Sequence, residues 1–334
     1  MLRQLARLTR PLPAAGPRAC ALAVYEVAGT LAPARESGEE GVACVDDTAR
    51  ALALYCDLWA ATRQGHFRER AVSFLDFVLW MQLADGRFVN FVYDWQGRRN
   101  LDGPTSVAGG PFWQARGLRG LAKAWVRLDD RRVGDAFGRA LACIDRSDRV
   151  PPDVRSVHVA ALLEVIRAGR EPGLRALLGQ WCDEIASKRD GDVLLDGDTN
   201  DIHLWAHSQE TVLAQAAAVL DRADLLETAR RSAESVFVPA IASSFDLPLV
   251  QPYGVACAVH AMDALAGATG EARYVELASD ARAWFDGRNP AGGAVYDRVA
   301  GRVADGIDDG QISGNSGAES NIVAAEALFA QIAV

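Results

Sequence analysis

What this chain lacks narrows its function before anything it contains. None of its six cysteines (Cys20, Cys44, Cys56, Cys143, Cys182, Cys257) forms a CxxC pair, which argues for reduced thiols in an apolar core and against a zinc ribbon or disulfide frame. There is no HExxH, no Gly cluster completes GxxxxGK[ST], and no GxGxxG separates a strand from a helix, so neither a metal nor a nucleotide cofactor is expected. No Lys/Arg block is dense enough to track a phosphate backbone, and the net charge is -9, so nucleic acid is not an expected partner. Without a run of 18 uncharged apolar residues no spanning helix is expected, and no membrane partner. Residues 1–32 have the early arginines and later apolar stretch of a signal peptide, but Glu26 interrupts the stretch and the prolines precede it. A cytoplasmic location is expected.

Also scarce is strand alternation. Helical periodicity recurs instead over residues 46–64, 66–83, 111–129, 131–146, 153–168, 171–187, 205–220, 223–237, 252–268, 271–286 and 317–332. The segments pair as hairpins across short polar or Gly breaks such as "TRQGH", "RLDDRR" and "GATGEA", as antiparallel helix neighbours require. Longer loops link the pairs, at residues 84–110, 188–204, 238–251 and 287–316, and long loops in a compact domain are commonly functional. Hairpins begin near residues 46, 111, 153, 205, 252 and 317. The sixth lacks a following partner, which residues 1–10 or 17–29 would supply to close a ring. The expectation is an all-α (α/α)6 toroid, a single domain over residues 1–334 with its ring-closing segment within residues 1–44. An open solenoid is the alternative.

In this arrangement Asp46 and Asp47, in "GVACVDDTARALALY", stand at the ring mouth. Helix capping explains one of them, as the N-cap, and leaves the other as a first-turn acid. Glu319 reaches the same face in "NSGAES", three residues after Ser316, which is also a capping-box spacing. Two separated carboxyl sites are what glycosidic bond cleavage requires. Glu319 is expected to protonate the leaving oxygen while Asp46 or Asp47 activates water, provided burial keeps Glu319 protonated.

The motifs "VDDTARALAL", "WFDGRN…YD…G…DGI" and "NSGAES" resemble an all-helical six-hairpin domain of bacterial sugar-active proteins, often fused or adjacent to glycosyltransferases. Where that family runs Asp-Asp-Asn-Ala-Arg, this chain has Thr48. The resemblance implies an oligosaccharide or polysaccharide substrate and a glycosyltransferase partner. An Asp pair at the start and a Glu near the end is also similar to inverting six-hairpin endoglucanases, while toroids host epimerases, lyases and phosphorylases too.

Aromatics in or beside the loops suit sugar stacking, so Tyr93, Trp95, Trp113 and Tyr253 are candidate binding residues, Trp113 more as wall than as ligand. Arg116 would meet an anionic substituent, and Asp94, Gln251 and Asn315 join the binding set from the same loops. His203 and His207 are spaced i, i+4, with Asp201 and Glu210 nearby. On a helix they would share a face, read as a hydrogen-bonding wall for sugar, with epimerase-like proton transfer as a secondary reading. The reading from another class is a glycan-binding partner domain, whose carboxylates would be occupied by caps or arginine pairs.

Overall fold

The computed structural model describes residues 1–197 and 202–332, and Asp201 lies outside them. In chain order the helices are α1 (Leu2–Leu8), α2 (Val45–Thr62), α3 (Gly65–Met81), α4 (Pro111–Arg127), α5 (Arg132–Ala142), α6 (Pro152–Arg167), α7 (Arg175–Ser187), α8 (Gln209–Leu220), α9 (Ala223–Ala242), α10 (Pro252–Thr269), α11 (Ala272–Ala283), α12 (Ala318–Ala327) and the single turn α13 (Phe329–Ile332). Each hairpin foreseen from periodicity is present.

Local chemistry sets the helix ends. Proline opens α4, α6 and α10, where a missing N–H costs nothing, and Gly270 closes α10 in the left-handed region at φ 74°. Several boundaries differ from the periodic pattern by four or five residues: α5 ends at Ala142 rather than 146, α7 starts at Arg175 rather than 171 and α12 ends at Ala327 rather than 332. α9 runs on to Ala242 because Pro239 lies in its last turn, where one lost hydrogen bond does not end the helix. α8 starts at Gln209 rather than at 205, after a turn in which Ala206 takes φ 60°.

The chain groups into two compact units. The first comprises Met1–Arg146, Asn315–Ala325 and the residues from Phe329 on; the second comprises Ser147–Gly314 with Glu326–Leu328. In the first unit α2 packs on both α3 and α4, and α4 on α5. In the second, α6, α8 and α10 pack in succession, and each also packs on the helix that follows it. The first helix of each hairpin is therefore the inner one. Burial agrees: α10 buries ten of 18 residues, whereas α11 buries three of 12.

Both ends of the chain contribute to the first unit. Of the two candidate closing segments, residues 2–8 are helical, while Cys20–Leu22 and Tyr25–Val27 are short strands. The buried Gln4 side chain donates to the Ser316 carbonyl at 3.1 Å, and Ala318 N–H donates to the Val24 carbonyl at 3.0 Å. Close helix contact also needs Gly120. A Cβ there would lie 2.9 Å from the Ala49 carbonyl oxygen, so its absence lets α4 approach the α2 backbone.

Candidate functional site

The first-unit cluster begins at the N-terminus of α2. Ala43–Cys44 pairs antiparallel with Phe91–Val92, bringing Asn90 over the helix end. There the Asn90 carbonyl accepts from Val45 N–H at 2.8 Å, and its side-chain oxygen accepts from Asp46 N–H at 3.1 Å. Cys44, and neither aspartate, is the N-cap: its sulfur accepts from Asp47 N–H and its thiol donates to Asp47 Oδ2, both at 3.4 Å. Burial, then the charges of Asp47 and Asp46, push the Cys44 thiol well above its ordinary range, so it keeps the proton it donates. The capping role expected of one aspartate is thus filled by a cysteine, and both acids occupy the first turn.

Arg50, one turn along, gathers the acids. Its guanidinium contacts Asp46 at 3.1 Å, Asp47 at 2.7 Å and Glu319 at 2.9 Å. Asp46 also pairs with Arg116, whose guanidinium carbon is 4.7 Å from the Phe112 ring centroid. The Gly120 contact explains this pair, because one turn back along each helix from Gly120 and Ala49 stand Arg116 and Asp46. Arg116, expected to meet a substrate anion, is instead buried against this carboxylate. The Ser316 hydroxyl accepts from Asn321 Nδ2 at 2.9 Å. Thr48, the departure from the family motif, accepts from Leu22 N–H at 3.3 Å and ties the N-terminal strand to α2.

The two adjacent aspartates behave oppositely. Burial pushes the Asp47 carboxyl up to about 6; Arg50 opposes the rise, and Asp46 and Glu319 add to it. Burial acts on Asp46 in the same sense, but Arg116 and Arg50 outweigh it and hold that carboxyl below its usual range. Side-chain exposure rises from 5% at Asp47 to 15% at Asp46 and 31% at Glu319, so Glu319 is the most accessible of the three.

Other first-unit candidates fall into local structure. Arg98 lies over the Tyr93 ring at 4.7 Å and pairs with Asp94 at 3.2 Å, and the Tyr93 hydroxyl bonds to Asn100 Oδ1 at 2.9 Å. Trp113 Nε1 donates to the Phe88 and Val107 carbonyls, both at 3.1 Å, which makes it loop wall. Trp95 is half-buried and Asn315 exposed.

The second unit holds a separate polar cluster. His207 and Glu210 are fully buried, and the His207 ring bonds Asp196 Oδ1 through Nδ1 at 2.6 Å and Glu210 Oε1 through Nε2 at 2.9 Å. With a carboxylate on each nitrogen the ring is an imidazolium. Burial alone would lower the His207 value, but Glu210 and Asp196 raise it to about 10. Gln209 Nε2 donates to Asp196 Oδ1 at 2.9 Å, and the Ser232 hydroxyl donates to Glu210. The two histidines are not on a helix face: both precede α8, and exposed His203 reaches Asp196 through its backbone N–H at 3.0 Å. Nearby, half-buried Trp205 and Tyr253 meet edge to face at 5.3 Å, and Gln251 is exposed at the N-cap of α10.

Arg50, Cys44, Asn90 and Asp196 had no assigned role in the sequence reading. For Arg50 a signal existed, since an arginine four and three residues after Asp46 and Asp47 shares their helix face. Asn90 and Asp196 lie in loops, and nothing local marks them. Among the described residues no group of three or more His, Cys, Asp or Glu side chains is arranged to hold a metal, and no helix is long and apolar enough to cross a membrane.

No family model and no curated protein matches the chain. Solved structures do. A cellobiose 2-epimerase from Bacillus thermoamylovorans B4167 superposes with TM-score 0.77 at 10% identity, covering 100% of this chain and 96% of that one. A D-mannose isomerase gives 0.71 at 12% identity over 94% and 92% of the two chains. A family 76 glycoside hydrolase from a bovine Bacteroides thetaiotaomicron strain gives 0.70 at 10% identity over 100% and 76%. The fold is the (α/α)6 toroid of sugar-processing enzymes. At these identities the likeness carries the fold and leaves the reaction to the residues.

Proposed function

We propose that this chain is a carbohydrate-active enzyme that cleaves a glycosidic bond, using the carboxyls gathered on Arg50. One observation carries the reading: adjacent acids with opposed proton affinities, Asp47 pushed by burial up to about 6 and Asp46 held low, against burial, by Arg116 and Arg50. Acetal cleavage needs one carboxyl to supply a proton and another, ionised, to activate water. Below about pH 6 Asp47 holds the proton, Asp46 acts as base, and Glu319 meets the sugar. This moves the acid role from Glu319 to Asp47, where the burial that retains a proton is found. In the first unit Trp95 and Asn315 are offered as further sugar contacts, and in the second Trp205 and Tyr253 as a stacking surface. A glycosyltransferase partner follows from the motif resemblance and is tested by co-purification.

Epimerisation at C2 is the second reading, supported by the names of the neighbours on this fold. It needs a base, and His207, held as a cation up to about 10, is a proton donor and not an acceptor near neutrality.

The test is a mass-spectrometric screen of the purified protein on bacterial oligosaccharides in D2O, with and without phosphate, alongside Asp47→Asn and Glu319→Gln. Cleavage lost in both variants supports the proposal. A phosphate requirement would make the reaction phosphorolysis, and deuterium at C2 without cleavage would make it epimerisation. Sugar binding without turnover would support the glycan-binding reading, to which the arginine pairing of all three acids already lends weight.

A further inference from the structure

The first unit also contains a cavity of about 880 Å³ lined by α1, the first turns of α3, Tyr55 of α2 and the turn after α4. None of the candidate site residues lines it. Its size is that of small-molecule sites, which run from about 300 to 1,000 Å³. Leu2, Ala6, Phe67 and Leu128 give it an apolar wall.

Tyr55 is the informative residue. It is 5% exposed, its ring packs edge-on against Phe67 at 5.9 Å and Phe74 at 5.6 Å, and its hydroxyl has no hydrogen-bond partner among the described residues. Tyr55 lines the cavity, where its hydroxyl is a donor open to a ligand's acceptor. Arg70 stands beside it: its guanidinium carbon is 5.8 Å from the same Phe74 ring, and it forms no ion pair among the described residues. Burial pushes the Tyr55 hydroxyl up to about 12, and the Arg70 charge acts against that rise, which agrees with their proximity. Among the other charged groups of the lining, Arg18 is taken by Asp76, and Asp130 by Arg132 at 2.6 Å. Arg3 and Arg68 also stand in the lining, beside Glu69 and Asp129. In a chain of net charge -9 the lining carries four arginines against three acids.

We propose that the cavity is a second binding site, for a small amphipathic anion. Its apolar body would rest on Leu2, Ala6, Phe67 and Leu128, and a carboxylate, sulfonate or phosphate oxygen would accept from the Tyr55 hydroxyl and the Arg70 guanidinium. The inference is independent of the reaction proposed for the carboxylate cluster.

The probe is 8-anilinonaphthalene-1-sulfonate, an aromatic body bearing one anionic group, followed by fluorescence titration of the full chain. N-phenyl-1-naphthylamine has the same body without the charge. Saturable one-site binding is expected, with at least a tenfold weaker response to the neutral compound. Arg70→Ala should weaken binding about tenfold, Tyr55→Phe severalfold, and Ala6→Trp, at an exposed position of the rim, should abolish it by filling the space. Circular dichroism confirms that each variant is folded. Equal binding of the two compounds, binding unchanged in all three folded variants, or no saturable binding would overturn the proposal.

Discussion

Arg50 pairs with three acids. Replacing a buried partner of an ion cluster strands the charges it served, at about 3 to 5 kcal/mol. Arg50→Met should therefore lower stability by about that amount in urea denaturation at neutral pH, and a loss under about 1 kcal/mol would show that the acids do not depend on it. Asp47 gives a pH-dependent prediction. Its folded-state value, raised by burial to about 6, exceeds the unfolded value of about 3.9, so its stabilising contribution is complete below about pH 4 and is lost as pH rises through about 6. The stability of wild type relative to Asp47→Asn should fall by up to about 3 kcal/mol between about pH 4 and 7, two units at about 1.4 kcal/mol each. Urea titrations across that range would read it, and a flat difference would contradict the shift. At this scale the sequence displayed the acids but not their state: burial and Arg116, 70 positions from Asp46, decide that.

The helices were the most legible elements, because an apolar stripe recurring every three to four residues is a local property. Their close approach is not local. Gly120 reads in sequence as an interruption of α4, yet it is where α4 meets the α2 backbone and from which the Arg116–Asp46 pair follows. Gly120→Ala would gain helix propensity but set its Cβ 2.9 Å from the Ala49 carbonyl oxygen, which cannot give way as a flexible side chain would. A net loss of about 1 to 3 kcal/mol is expected, read as a lower thermal midpoint, and a stabilised variant would show that the helices separate freely. The start of α8 escaped for a related reason. The histidine spacing looked helical, but Asp196 draws both residues into a loop.

For the whole molecule, hairpin count and spacing were enough to point to six repeats and the (α/α)6 class, and the solved structures share that fold. Within the first unit the chain's two ends meet, as in the buried bond from Gln4 to Ser316, 312 positions apart. Gln4→Ala would leave the Ser316 carbonyl without this donor and should cost about 1 to 3 kcal/mol, despite lying in a seven-residue helix. Urea denaturation measures it, and a neutral effect would show that the contact contributes nothing to joining the ends. The sequence by itself determined the elements, their pairing into hairpins and the acids at the start of α2, because periodicity, turn chemistry and capping act over a few residues. Only the tertiary structure decided that Arg116 and Glu319 join Arg50 and the aspartates, that His207 is a buried cation and that Tyr55 opens into a cavity. Burial and long-range charge pairing arise between segments far apart in the chain, and no local pattern records them.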